Sequence, residues 1–224
     1  MNSPSSSPFR GEAGLSVHER RRVQVLILIF ENVDVLSFSG PFAVFAAADD
    51  CEGGHTFQVR TVAESPSSIR ALHGLKIVPD LTREHAPRPD VLVIPGGSGT
   101  RALLDRPGLH EWIHTRSATA EATLAVGTGI ALLTKAGLPG LPEASGGPNV
   151  FPEAPLTAPG VTEKGAASFQ VAAHPGGKGM VLTAAGARTA IEASLHVVRL
   201  LRGDPLASAT ARHLDQAWPF GSPE

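Results

Sequence analysis

Three short apolar runs, each followed by glycine, organise this chain. Residues 23–30, VQVLILIF, are almost continuously aliphatic. That is the pattern of a strand buried on both faces, as in a parallel sheet covered by helices. Residues 90–94, DVLVI, repeat it and are closed by PGGSG at 95–99. Residues 122–126 form the third run, which breaks at Gly127-Thr128-Gly129 and resumes as an apolar helix through Ile130, Leu132, Leu133 and Ala136.

The intervening segments carry helical and shorter strand patterns. SFSGPFAVFAAADD at 37–50 predicts a helix with Pro41 in its first turn and Phe42, Phe45 and Ala46 on its apolar face. Ser39 is either the N-cap of that helix or a ligand contact. Residues 56–63 and 76–78 predict shorter strands, and 103–113 a helix containing Trp112. Residues 137–159 are dense in Gly and Pro and predict a long irregular segment, a kind of loop that is often functional. Strands are predicted at 168–173 and 180–184, with a turn at HPGGKG between them. A helix follows over 187–201, with Ile191, Leu195 and Val198 on one face. The last helix spans 205–217, with Asp204 as N-cap and Pro205 in its first turn.

Strands alternating with helices predict an α/β fold, an open, mostly parallel sheet with helices on both faces, of flavodoxin-like type. One domain is expected over 23–224, preceded by a tail over 1–22 whose first 16 residues lack periodicity and read as disordered. In such a sheet ligands bind outside the carboxyl ends of the strands. Three glycine-bearing corners, 30–41, 95–99 and 127–129, fall at such ends.

Composition narrows the class. The chain has 224 residues, 42% of them hydrophobic, and a net charge of -2. It therefore has no general electrostatic drive toward nucleic acid or anionic membrane, and the basic run at 18–22 reads as a solvated flank. No apolar run approaches the roughly 18–20 residues that span a bilayer. The polar start, MNSPSSSPFRGEAG, has no signal-peptide core. With Cys51 as its single cysteine the chain can form no internal disulfide, so a cytoplasmic protein is expected, with Cys51 a structural or surface thiol. Of the nine histidines only His110 and His114 stand at H-x-x-x-H spacing, a pair and not a full ligand set. Neither a metal nor another cofactor is expected, and PGGSG lacks the phosphate-binding G-x-G-x-x-G pattern.

The chemistry points to the third corner. In α/β enzymes a sharp strand–turn–helix elbow lifts a nucleophile above the sheet, over backbone N–H groups. Here the tip is Gly127, which has no side chain to attack with. There is no tyrosine, so acid–base work falls to Asp, Glu, His, a hydroxyl with a neighbour, or water. Glu31 and Asp34 follow the first strand and are either solvated loop carboxylates or acids rimming the pocket; burial would raise their pKa values. Ser37 is the better candidate for a pocket hydroxyl. Thr128 either caps the elbow helix or hydrogen-bonds a substrate.

The order and spacing of several motifs resemble the ThiJ/PfpI superfamily, whose fold is that of class I glutamine amidotransferases. They are GP at 40–41, PGGSG at 95–99, TG at 128–129 with KAGL at 135–138, and TAAG at 183–186 with Ile191-Glu192. Within it, the ending WPFGSPE at 218–224 resembles the isonitrile-hydratase branch. The resemblance implies a cysteine nucleophile at the position of Gly127 and its partner acid at that of Ser37. It also implies a Thr-His-Trp segment where 143–150 read EASGGPNV. Both members of the catalytic pair are thus replaced, while the backbone cradle of Gly96 and Gly97, with Ser98 beside it, is kept. The resemblance places Pro41 at the Gly-Pro corner and His73 at a small-residue turn, both as substrate contacts. It further implies a homodimer, for which the apolar segment around 41–48 is a plausible surface. The function expected is that of a cofactor-free lyase, hydratase or cyclase acting on a small, largely apolar molecule without a cysteine adduct; the composition, rich in Ala, Gly, Pro and Arg, points to secondary metabolism. A non-catalytic pseudoenzyme that keeps the pocket for binding is the alternative.

Overall fold

The computed structural model describes residues 21–138 and 169–216. Residues 1–20, residues 139–168, which hold most of the segment predicted to be irregular, and the chain from 217 lie outside the described residues. In chain order the elements begin β1 (Val23–Leu28), α1 (Val35–Cys51), β2 (Phe57–Ala63), β3 (Ile69–Arg70), β4 (Lys76–Ile77) and β5 (Leu81–Thr82). They continue β6 (Val91–Ile94), α2 (Thr100–Leu103), α3 (Pro107–Thr119), β7 (Ala122–Val126) and α4 (Gly129–Lys135). The last four are β8 (Phe169–Ala173), β9 (Met180–Ala184), α5 (Ala187–Arg202) and α6 (Asp204–His213).

Seven strands form one sheet in the order β5-β2-β1-β6-β7-β9-β8, and β3 pairs with β4 in a separate two-stranded ribbon. All pairings in the large sheet are parallel except β8 with β9. The parallel strands from β2 to β9 follow the flavodoxin-like order 2-1-3-4-5, β5 being an added edge. The expected class is therefore the observed one. The three apolar runs are its centre: β6 and β7 are buried at every position and β1 at all but Gln24. Val25 stands opposite Val91, and Val91 opposite Ala122, so the three glycine corners leave the sheet at one end. On one face α1, α5 and α6 pack together; on the other α3 packs with α4.

Several local expectations are corrected. Pro41 lies inside α1 rather than in its first turn. Asp34 caps the helix earlier, its carboxylate accepting the Ser37 N–H at 3.1 Å, so Ser39 is an interior residue and not the N-cap. Pro41 cannot donate to the Ser37 carbonyl, but Gly40 lies so near α5 that a β-carbon there would stand 3.1 Å from Ile191 Cγ1. Packing keeps the helix continuous through the proline. Next, the predicted helix at 103–113 is two helices, because Pro107 opens α3 after α2 has ended. Asp204 sits in the first turn of α6, whose N-cap is Gly203, and that helix ends at His213. Finally, the basic flank is not all solvated. Arg21 clasps Asp90 with two hydrogen bonds, of 2.9 and 2.6 Å, and Arg22 pairs with Asp49 at 3.0 Å.

The antiparallel hairpin β8–β9 is fastened to α3 by a buried polar chain. The Gly176 N–H donates to His174 Nδ1 at 3.1 Å, which places the ring proton on Nε2. Nε2 lies 3.0 Å from Ser117 Oγ, and Ser117 Oγ 2.9 Å from Thr123 Oγ1 on β7. Burial, reinforced by the nearby His114, lowers the His174 pKa from 6.5. On α5, His196 sits against Phe169 with ring centroids 5.2 Å apart. Burial and then Arg199 push its pKa down to about 4. Both rings are thus held neutral in the fold and would charge more readily once unfolded. Their contribution is fully present above the unfolded value of 6.5 and is lost as pH falls below it toward the folded values. The urea midpoint should be flat from about pH 8 to 7 and drop by about pH 5. For His196, partly exposed, the loss is on the order of 1–2 kcal/mol. His196→Phe should flatten that drop, and an equal fall in the variant would assign the acid lability elsewhere.

Candidate active site

The three corners are interlocked through their backbones. After β1 the chain turns at Asn32, in the left-handed region at φ 59. The Asp34 N–H then donates to the Gly96 carbonyl at 2.9 Å. Gly97 lies against the same turn; a β-carbon on it would come 2.4 Å from the Asn32 oxygen. Gly96 lies against the elbow, where a β-carbon would meet the Val126 oxygen at 2.9 Å and Thr128 N at 3.1 Å. These close approaches are the reason PGGSG is glycine-rich.

The elbow itself has the expected strand–turn–helix form. Gly127 links β7 to α4, has φ 52 and is partly exposed. A β-carbon there would find only the Ala185 oxygen, at 3.6 Å, so the space over the tip is open. Thr128 stands at the N-cap position of α4, but its side chain makes no capping bond. It is tied to Gly97 in both directions, accepting the Gly97 N–H at 2.9 Å and donating to the Gly97 carbonyl at 3.1 Å. The Gly97 N–H, expected in the oxyanion cradle, is therefore committed to Thr128.

Asp34 and Ser37 form the notable polar pair. Ser37 is buried, and its hydroxyl donates to Asp34 Oδ2 at 2.5 Å, while its N–H reaches the same oxygen. Asp34 is partly buried and has no cationic partner among the described residues. Through its N–H to Gly96 the pair is joined to the elbow. Sequence reasoning named both residues but not their contact, although Asp followed three residues later by a helical N–H is the ordinary N-cap spacing.

The other candidates are more scattered. Glu31 is exposed and accepts the Arg70 N–H at 3.1 Å. Ser98 is exposed at the tip of its loop. His73 is exposed, with φ 65, in a short turn (Leu72–Gly74) tied to the first corner by the Leu72 N–H on the Val33 carbonyl at 2.9 Å. Pro41 is buried in α1. Cys51 is exposed at the far end of that helix. No group of three or more metal-ligating side chains occurs among the described residues, and no helix there is long and apolar enough to cross a membrane. A cavity of about 440 Å³ opens over the ends of β1 and β2; Glu31 and Gly99 line it, whereas Ser37, Gly127 and Thr128 do not. Sequence patterning gave no hint of it, because its walls come from four separate segments.

Comparison with known proteins agrees with this geometry. Residues 23–200 match the DJ-1/PfpI family. An isonitrile hydratase from Pseudomonas putida is 31% identical over 116 residues, which are 52% of this chain and 48% of that protein. The chain thus spans about half the length of that relative. A ThiJ/PfpI family protein from Pseudomonas syringae superposes with a TM-score of 0.67 at 21% identity, over 98% of this chain and 84% of that one. DJ-1 from Schizosaccharomyces pombe superposes with a TM-score of 0.65 at 14% identity, over 87% of this chain and 100% of that one. At such identities these two share the fold. With most of its length matched and the interlocked corners in place, the chain belongs to the DJ-1/PfpI family.

Proposed function

We propose that the chain is a diverged, cofactor-free enzyme of the isonitrile-hydratase-like branch that acts on a small, largely apolar molecule over Gly127. Its reaction adds or removes water, or closes a ring, without a covalent cysteine adduct. The observation that carries this reading is the Ser37–Asp34 hydrogen bond at 2.5 Å beside an open elbow. The resemblance implies an acid at the position of Ser37; here a hydroxyl stands there instead, with the Asp34 carboxylate as its hydrogen-bond partner. Ser37 donates its proton to Asp34, which leaves its lone pairs free to accept one from water or substrate. A proton taken up at Ser37 Oγ passes on as the original hydroxyl proton moves to Asp34 Oδ2, so the pair acts as a relayed general base. Gly96 remains the cradle glycine whose N–H is not spent on Thr128, and it is the candidate donor to developing negative charge. The protein is further proposed to be a cytoplasmic homodimer that binds neither nucleic acid nor membrane.

The test is a panel of small isonitriles, nitriles, ketones and hydroxy-ketones incubated with the protein. Products are analysed by mass spectrometry for gain or loss of one water, or for an isomer of unchanged mass. Asp34→Asn should lower turnover about 10²–10⁴-fold, the usual range for a general base. Ser37→Ala should lower it comparably while costing about 0.5–1.5 kcal/mol of stability. A compound bound but returned unchanged, with binding insensitive to Asp34→Asn, would instead assign the elbow to a non-catalytic carrier.

A further inference from the structure

The cavity over β1 and β2 lies two strands from the elbow, where the chain leaves β1 for β2 on one side and β6 on the other. Such a switch point is where open α/β sheets bind ligands. Its volume of about 440 Å³ is within the range of small-molecule pockets. Phe30, Ala63, Ile69 and Leu109 give it an apolar floor, and each is buried.

The charged groups at its rim are balanced in number but not in what they have left to offer. Glu31 already accepts the Arg70 N–H, and Glu64 already accepts Arg83 Nη2 at 3.1 Å. Both arginines keep unused donors. Arg83 spends one N–H of Nη1 on the Gly108 carbonyl and one of Nη2 on Glu64, which leaves the second N–H of each. Arg106 is exposed, and its side chain has no hydrogen bond or ion pair among the described residues. A dry floor beneath unspent guanidinium donors matches a ligand with a hydrocarbon body and a planar two-oxygen anion, since guanidinium and carboxylate pair in a fork.

We infer that this cavity is a second small-molecule site, separate from the elbow, and that it binds a small amphipathic monocarboxylate. The chain of the acid lies on the floor, and its carboxylate meets Arg106 and Arg83.

Hexanoate and its neutral counterpart hexanamide are suitable probes, titrated by ligand-observed NMR against the full chain. Hexanoate should bind, and hexanamide about tenfold or more weaker, the value of one charge-assisted hydrogen bond. Arg106→Ala should weaken hexanoate by a similar factor and leave hexanamide unchanged. Ala102→Trp, at a lining position, should abolish binding of both, whereas Gly127→Leu should alter neither. The site assignment is overturned if folded protein binds no hexanoate up to about 10 mM, if acid and amide bind equally, or if Ala102→Trp has no effect. Loss of hexanoate binding in Gly127→Leu would also overturn it and would move the ligand to the elbow. Failure of the elbow chemistry leaves these results untouched, because none of them reads turnover.

Discussion

Gly127→Leu is expected to abolish binding and turnover at the elbow while costing only about 1–2 kcal/mol of stability. The cost comes from the backbone, since φ 52 is a left-handed conformation that a β-carbon disfavours by about that amount. Packing adds little, because the new β-carbon meets only the Ala185 oxygen at 3.6 Å. The isobutyl group then occupies the open volume above the tip, where the substrate is proposed to sit. Ligand titration, turnover and melting temperature on one preparation would check this. A normal melting temperature with unchanged function would mean that the protein does not work above the elbow.

Two residues on, a far smaller change should do the opposite. Gly129→Ala is expected to cost about 3 kcal/mol or more, at or above the top of the usual overpacking range. That is a large share of the roughly 5–15 kcal/mol that holds a typical domain together. A β-carbon on Gly129 would stand 2.3 Å from the Ile94 oxygen and 2.7 Å from the Pro95 oxygen. Both belong to backbone at the end of β6, which cannot move without separating β6 from β7. Chemical denaturation of the two variants side by side would separate a glycine kept for space from one whose neighbour is open. A loss below about 1 kcal/mol in Gly129→Ala would show that the corner yields more than this packing allows.

The contrast also explains how much of the fold was legible in the sequence. The runs at 23–30, 90–94 and 122–126 announced central strands because burial on both faces leaves no polar positions to confuse the period. The glycines after them announced close approaches, and Gly97, Gly99 and Gly129 each face backbone from a neighbouring corner. Helix boundaries were less legible. Pro41 reads as a first-turn residue by local rules, yet its helix begins with Val35 because Asp34 caps it and α5 packs against it. Those are tertiary facts with no local signature. The edge strands β3 and β5, two residues each, are too short to show a period.

The candidate site was legible in position more than in chemistry. Gly127 at the tip and Gly96 beside it follow from motif order. Ser37 and Asp34 were named separately, and only the helical turn between them makes a pair of them. Thr128 illustrates the reverse case, since its hydroxyl is consumed in joining the elbow to Gly97 rather than in capping α4. The cavity over β1 and β2 and the buried His174–Ser117–Thr123 chain were invisible because each draws residues from distant segments.

Formation of N-substituted formamide from a simple alkyl isonitrile tests the central claim most directly, because that hydration is the reaction named for the Pseudomonas putida relative. The account predicts none above background for the natural chain and none for Gly127→Cys, where the acid at position 37 is still absent. It predicts measurable product for Gly127→Cys combined with Ser37→Asp, which restores thiol and acid together. Turnover by the natural chain at the rate of a cysteine-bearing relative would contradict it, because a glycine elbow would then be performing the chemistry assigned to the thiol.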